Sequence, residues 1–249
     1  MHPILFGLIP TYYLVISLTF CLIIFLTIVR AKKLQFNINN SLDILLVSML
    51  SGFLGARVLH IIYEAPDYYL EDLTRIFEIW HGGFVYFGGV IAAMIGSWLY
   101  CKYKNLKFLK WADFFAPLIA LGYGLGRFAC FLNGCCFGKV CDLPWAVRFP
   151  NLPHPMSQHL RHPTQIYTSL IEFLIVVVLL WSSSHAFFKA QYGRLFGLWL
   201  CLHATNRIIM ESLRADFRGE LILGLSLSTV ISLVLLLLGS GLLFLKPKK

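Results

Sequence analysis

Apolar runs of about 20 residues recur seven times along the chain, at about 11–29, 42–62, 83–101, 112–132, 165–182, 195–212 and 221–245. A bilayer core is about 30 Å thick, and an α-helix needs roughly 20 residues to cross it. Backbone groups in lipid find no water, so each run must satisfy its hydrogen bonds internally as a helix. The predicted fold is therefore all-α and integral to a membrane, with seven transmembrane helices in one polytopic domain over 1–249. Composition agrees: 58% of residues are hydrophobic and 13% are charged, with mean hydropathy +0.74. Soluble domains carry about a quarter charged residues. The first run has the length of a spanning helix, and no A-x-A-like cleavage site follows it.

The formal net charge is +9. In a membrane protein such a surplus sets orientation and meets anionic membrane lipids, so nucleic acid is not expected as a partner. Twelve of the 21 basic residues fall on alternate connections. They are Arg30, Lys32 and Lys33; Lys102, Lys104, Lys107 and Lys110; Lys189 and Arg194; Lys246, Lys248 and Lys249. The intervening connections hold Glu64, Asp67, Glu71, Asp72 and Glu78, then Asp142, Asp216 and Glu220. The positive-inside rule then places the N-terminus outside and the C-terminus inside. A first outer loop covers about 64–82. A longer one, about 133–163, has the size of a small outer-face cap between helices 4 and 5. In a bacterial inner membrane these outer segments face the periplasm. Two Gly-Gly pairs, Gly82-Gly83 and Gly88-Gly89, enter the third helix and allow close helix packing.

Candidate chemistry concentrates in and around 122–161. Arg57, Arg127 and Arg207 lie within or at the outer ends of spanning runs, where an arginine costs on the order of 3 kcal/mol. A guanidinium fork takes a phosphate with two parallel hydrogen bonds, so the three predict a phospholipid headgroup site. Glu211 follows Arg207 by one turn, and His203 precedes it by one turn. His203 and His81 are candidate proton acceptors. Tyr12, Asn133, Gly138 and Arg161 are candidate substrate-binding residues, and His162 stands beside Arg161. Of seven cysteines, Cys21, Cys101 and Cys201 read as small buried hydrophobes. Cys130, Cys135, Cys136 and Cys141 form a C-x4-C-C-x4-C array that matches no zinc or iron–sulfur spacing. Neither a metal nor a cofactor is predicted. A disulfide, a reactive thiol and simple packing all stay open for the array.

Several of these stretches resemble the prolipoprotein diacylglyceryl transferase family. Gly126-Arg127-Phe128-Ala129-Cys130-Phe131-Leu132-Asn133-Gly134 resembles its G-R-x-x-N-F-x-N-G signature. Pro144-Trp145-Ala146, Phe149-Pro150 and Arg161-His162-Pro163-Thr164-Gln165-Ile166-Tyr167 resemble its P-[WF]-[AG], F-P and R-H-P-[ST]-Q-L-Y elements. Asn206-Arg207 through Glu211 and Arg214 resemble its F-R-x-x-x-E-x-x-R helix, and the paired glycines and Tyr12 also fit. The resemblance implies an enzyme that moves the diacylglyceryl group of phosphatidylglycerol onto the lipobox cysteine thiol of a secreted precursor, releasing glycerol phosphate. In that reading Arg127 and Arg207 bind the phosphate, Tyr12, Asn133, Gly138, Arg161 and Glu211 shape the pocket, and His203 or His81 handles the proton. The chain departs from the family pattern at four places. It has Phe87 where the family has histidine, Cys130 for asparagine, Cys135 for an acidic residue and His203 for tyrosine. Two other readings stay open: a phospholipid-dependent transferase with a different acceptor, and a non-catalytic lipid-binding or redox-linked membrane paralogue.

Overall fold

A computed structural model describes residues 4–5, 9–215 and 225–244, with the backbone alone at Leu5, Ile9 and His81. Asp216, Glu220, Lys246, Lys248, Lys249 and the ends of the run at 221–245 lie outside the described residues. Among the described residues, seven helices run 18 residues or longer. They are α1 (Thr11–Leu34), α2 (Ile38–Leu59), α4 (Tyr86–Tyr103), α5 (Phe108–Asn133), α6 (Thr164–Ser182), α8 (Arg194–Leu213) and α9 (Leu227–Phe244). Short helices α3 (Pro66–Glu71) and α7 (Ala186–Lys189) lie between them. The described residues also form two antiparallel strand pairs: β1 (Ile4–Leu5) with β2 (Ile9–Pro10), and β3 (Val147–Arg148) with β4 (Leu160–Arg161).

Among the described residues, five helices are long and apolar enough to cross a membrane: Thr11–Leu34, Ile38–Glu64, Phe108–Asn133, Thr164–Ser182 and Leu227–Phe244. Helices α4 and α8 have the length but are less apolar. Large hydrophobic side chains such as Leu18, Leu50, Leu54, Leu174, Val177 and Leu237 are exposed on these helices. Water would not tolerate so much outward apolar surface, and lipid does. This is the fold of a multi-pass helical membrane protein.

Helix ends follow local chemistry. The run expected from 83 becomes helical only at Tyr86, because Gly82 and Gly83 hold φ of +81° and +80°. That left-handed turn cannot start an α-helix. Helix α9 starts at Leu227, where the Ser226 hydroxyl accepts from the Thr229 amide at 3.2 Å. Helix α8 is capped from outside its own strand of sequence. The Asp113 carboxylate accepts from the amides of Gly193 (2.6 Å) and Phe196 (2.8 Å), placing a negative charge at the positive end of the helix.

The chain divides into two compact units, Met1–Ile23 with Leu109–Lys249, and Ile24–Phe108. In the second, α2 and α4 pack through small residues. A Cβ added at Gly88 would lie 2.5 Å from the Gly55 carbonyl oxygen, and one at Gly55 would lie 2.6 Å from that of Gly88. The two backbones touch, as small-residue motifs permit in membranes. Tyr100 also donates to Asp43 at 2.6 Å across this helix pair. We expect Gly88→Val to lower stability by about 1–3 kcal/mol through forced separation of the helices. Gly241→Ala, where nothing lies within 4 Å of the new Cβ, serves as control. Thermal unfolding in detergent reads the difference, and equal melting temperatures would refute the close-packing account.

In the first unit, α8 and α9 meet at Gly197 and Gly239. A core of Ala112, Ala116, Ala120, Ile175, Leu179, Leu195, Phe196 and Leu200 joins α5, α6 and α8. Segment 134–163 carries the β3–β4 pair and a 3-10 turn, Met156–Gln158. Phe149 of this segment is fully buried and packs on Phe131 and Phe137.

Candidate functional site

Helix α5 stops at Asn133 because Gly134 takes a left-handed φ of +81° and returns its amide to the Cys130 carbonyl at 3.0 Å. Cys135 bonds the same carbonyl, and Cys136 then turns left-handed, with φ of +64°. The start of α6 holds this turn: Thr164 Oγ1 donates to the Cys136 carbonyl at 2.9 Å, and Gln165 Nε2 donates to that of Cys135. The chain thus folds back on its own helix end, and the sulfur atoms of Cys130, Cys135 and Cys136 come within 4.8 Å of one another. All seven cysteines are free thiols. Hydrogen bonds from Cys130 and Cys135 hold the Cys136 thiol well below the usual thiol range, with Arg214 and Arg127 adding to the effect. Asn133 interacts with the Cys135 thiol, and Tyr12 lies within electrostatic reach of the three sulfurs and of Arg127.

Arg127 stands one turn before Cys130. Its Nη2 donates to the Tyr123 hydroxyl at 2.6 Å, and its guanidinium lies 4.9 Å from the centre of that ring. Tyr123 therefore orients the fork from below by both a hydrogen bond and a cation–π contact. The Tyr123 ring meets His203 edge-on at 4.6 Å, and Trp199 stacks on the same histidine at 5.3 Å.

His203 leads to a functional residue that lies outside every motif of the sequence, Glu172. Its Nδ1 lies 2.7 Å from Glu172 Oε1, and Asn206 Nδ2 donates to the same oxygen at 3.1 Å. Glu172 has no exposed surface, and its Oε2 has no hydrogen-bond partner among the described residues. A carboxylate acceptor puts the imidazole proton on Nδ1 and leaves Nε2 as the basic nitrogen. The signal was present in the sequence: Glu172 is the one charged residue within the run 165–182. An ionisable group inside such a run is a functional candidate by default.

Farther along α8, Arg207 Nη2 donates to Ser228 Oγ and lies 3.5 Å from Glu211 Oε2. Its buried Nη1 has no partner among the described residues, an unsatisfied donor that a ligand would complete. Just beyond the helix, Arg214 pairs with Gly138 in a β-bridge, and Lys139 donates its amide to the Leu213 carbonyl at 2.8 Å. Arg161 Nη1 reaches the Gly138 carbonyl at 3.3 Å, and its guanidinium lies over the Phe137 ring at 5.0 Å. Gly138 has a packing reason to be glycine, since a Cβ there would lie 2.6 Å from that of His162. His162 itself faces the Tyr167 hydroxyl at 3.3 Å. Beside these elements, an apolar groove of about 440 Å³ is lined by Phe131, Trp145, Val147, Pro163, Ile166, Tyr167 and Leu170.

The structure thus gathers Tyr12, Arg127, Asn133 and the cysteines; it links Arg161 to Gly138 and Arg214; and it joins Arg207 to Glu211. It does not leave Arg57 available as a third phosphate ligand. That guanidinium donates to the carbonyl oxygens of Arg75 (2.7 Å), Ile76, Glu78, Gly82 and Gly83. Arg57 is a clamp that holds the loop at 75–83 within its own unit, its donors already committed to backbone. The backbone of His81 ends a 3-10 turn in that loop, and its side chain lies outside the described residues.

The chain matches the family model described as prolipoprotein diacylglyceryl transferase over residues 3–245. It is 38% identical over 243 residues to a phosphatidylglycerol–prolipoprotein diacylglyceryl transferase of Clostridium tetani, covering 96% of this chain and 95% of that protein. A protein of the same name from Finegoldia magna is 35% identical over 237 residues, covering 94% and 90%. One from Legionella pneumophila (strain Paris) is 32% identical over 214 residues, covering 85% and 81%.

Proposed function

The chain belongs to the prolipoprotein diacylglyceryl transferase family, and on that premise we propose that it moves the diacylglyceryl group of phosphatidylglycerol onto the lipobox cysteine thiol of a prolipoprotein. The acceptor sulfur attacks the glyceryl carbon that bears the phosphate. A carbon–sulfur bond forms, the carbon–oxygen bond to phosphate breaks, and glycerol phosphate leaves with the electron pair.

The observation that carries this reading is Arg127, a guanidinium oriented by Tyr123 in an apolar helix, whose one side-chain hydrogen bond among the described residues is to that tyrosine. Negative charge grows on the departing phosphate, and a fixed donor there acts where it stabilises the transition state most. Arg207 Nη1 supplies a second donor. His203, with Nδ1 held by Glu172, takes the proton shed by the acceptor thiol through Nε2. Tyr12, Asn133 and Arg161 shape the headgroup pocket, and the apolar groove has the lining for an acyl chain.

The same reading extends to the topology. All seven long helices cross the bilayer as one membrane domain. Helices α4 and α8 present exposed Ile91, Ile95, Leu99 and Ile209 on faces suited to lipid. The distribution of lysine and arginine supports an N-out, C-in arrangement in a bacterial cytoplasmic membrane. It turns the 133–163 cap and the reacting groups toward the periplasm.

The test uses purified protein in liposomes of phosphatidylglycerol. Glycerol phosphate release is followed with a lipobox peptide, with its cysteine-to-serine version and with no peptide. Release that needs the cysteine peptide supports the reading. Equal release with an unrelated acceptor points to a different transferase, and no release with any acceptor removes the enzyme reading.

A further inference from the structure

We propose that Cys130, Cys135 and Cys136 form a three-thiolate site for a thiophilic divalent cation of the zinc class, whose fourth position receives the acceptor thiol. The cation half stands on geometry alone; the acceptor half rests on the transferase reading above.

Zinc–sulfur bonds of about 2.3 Å set tetrahedral thiolates roughly 3.8 Å apart. The three sulfurs already lie within 4.8 Å of one another, so closing on an ion needs only side-chain adjustment. The backbone beneath them is held in place. Cys130 sits in the last turn of α5, the left-handed Gly134 ends that helix, and Thr164 and Gln165 tie down the carbonyls of Cys136 and Cys135. Spacing did not reveal this site, because the ligands meet through a left-handed reversal at Cys136 rather than through a knuckle or finger pattern.

Charge fits as well. Three thiolates and a dication leave one net negative charge. Arg127 faces Cys130 and Cys136, and Arg214 faces Cys136, so guanidinium groups offset that charge. The Tyr12 phenol and the Asn133 side chain also face the cluster, and neither is a common zinc ligand. Among the described residues Cys141 is not a member of the cluster. Three protein ligands and an open fourth position characterise reactive rather than structural zinc sites, and thiolates select soft cations.

A thiol entering the fourth position binds as thiolate, and its proton passes to His203. The bound sulfur then forms the carbon–sulfur bond as the phosphate leaves with the electron pair of the broken carbon–oxygen bond. Arg127 neighbours the thiols and donates to Tyr123, whose ring meets His203. The cluster also occupies two of the positions, Cys130 and Cys135, at which this chain departs from the pattern it resembles.

The experiment takes full-length protein, reduced and stripped with a chelator, and titrates it with cadmium as a spectroscopic stand-in. One equivalent per chain is expected to develop a thiolate-to-cadmium charge-transfer band. Cys130→Ser, Cys135→Ser and Cys136→Ser should each weaken binding at least tenfold, and Cys141→Ser should not. No saturable band, or equal loss in Cys141→Ser, overturns the site. X-ray absorption on zinc-loaded wild-type protein needs no variant: three sulfur ligands are expected, rising to four with a lipobox peptide. Two sulfurs or fewer overturn the site, and a count that stays at three overturns the acceptor half. Undiminished glycerol phosphate release from metal-free protein also overturns the acceptor half and leaves the transferase reading standing. A count of four without any release upholds the site and removes the transferase reading.

Discussion

Arg127→Ala is expected to lower turnover about 10²- to 10³-fold, the loss that follows removal of one fixed donor to a developing anion. Among the described residues the side chain makes one hydrogen bond, to Tyr123, and one cation–π contact with the same ring. Neither contact is part of a helix-packing core, so the melting temperature should move far less than the rate. Arg127→Lys separates charge from shape. It keeps a cation but loses the planar fork that takes two phosphate oxygens at once, and it should recover only part of the activity. Initial rates of glycerol phosphate release, measured beside thermal unfolding, check both statements. A rate within twofold of wild type in the alanine variant would remove Arg127 from the phosphate site.

Glu172→Ala carries the second large effect, and it should strike stability and rate together. One carboxylate oxygen serves both His203 and Asn206, and none of the three groups has more than slight exposure. Removing it strands two buried donors, at about 1–3 kcal/mol each. The imidazole also loses the acceptor that fixes its tautomer. Glu172 acts through His203, so its role is positioning. Glu172→Gln provides the discriminating readout. Its amide oxygen still accepts from both partners, so most of the stability should return. The rate should stay about tenfold or more below wild type, with an altered pH profile, because a neutral amide cannot support a charged imidazole. Full recovery of both rate and pH profile in the glutamine variant would reduce Glu172 to packing.

Long helices were the legible part of this chain. An apolar run of about 20 residues in a membrane has one way to satisfy its backbone, and each of the seven runs corresponds to a helix of at least 18 residues. What escaped was decided by tertiary contact. Arg57 read like Arg127 and Arg207, all three being arginines near run ends. Whether a guanidinium is spent depends on where a loop 18 to 26 residues away returns its carbonyls. Glu172 is readable as a lone charge in an apolar run, but its partners, His203 and Asn206, come from another helix. The cysteines had no recognisable spacing, because a left-handed residue after the helix end brings Cys135 and Cys136 back to Cys130.

The most direct test follows a single turnover on purified protein with phosphatidylglycerol and a lipobox peptide, reading peptide mass and glycerol phosphate in the same sample. The account predicts one diacylglyceryl thioether formed for each glycerol phosphate released, with both lost together in Arg127→Ala. Glycerol phosphate released without modified peptide, or modified peptide formed equally well by Arg127→Ala, would contradict it.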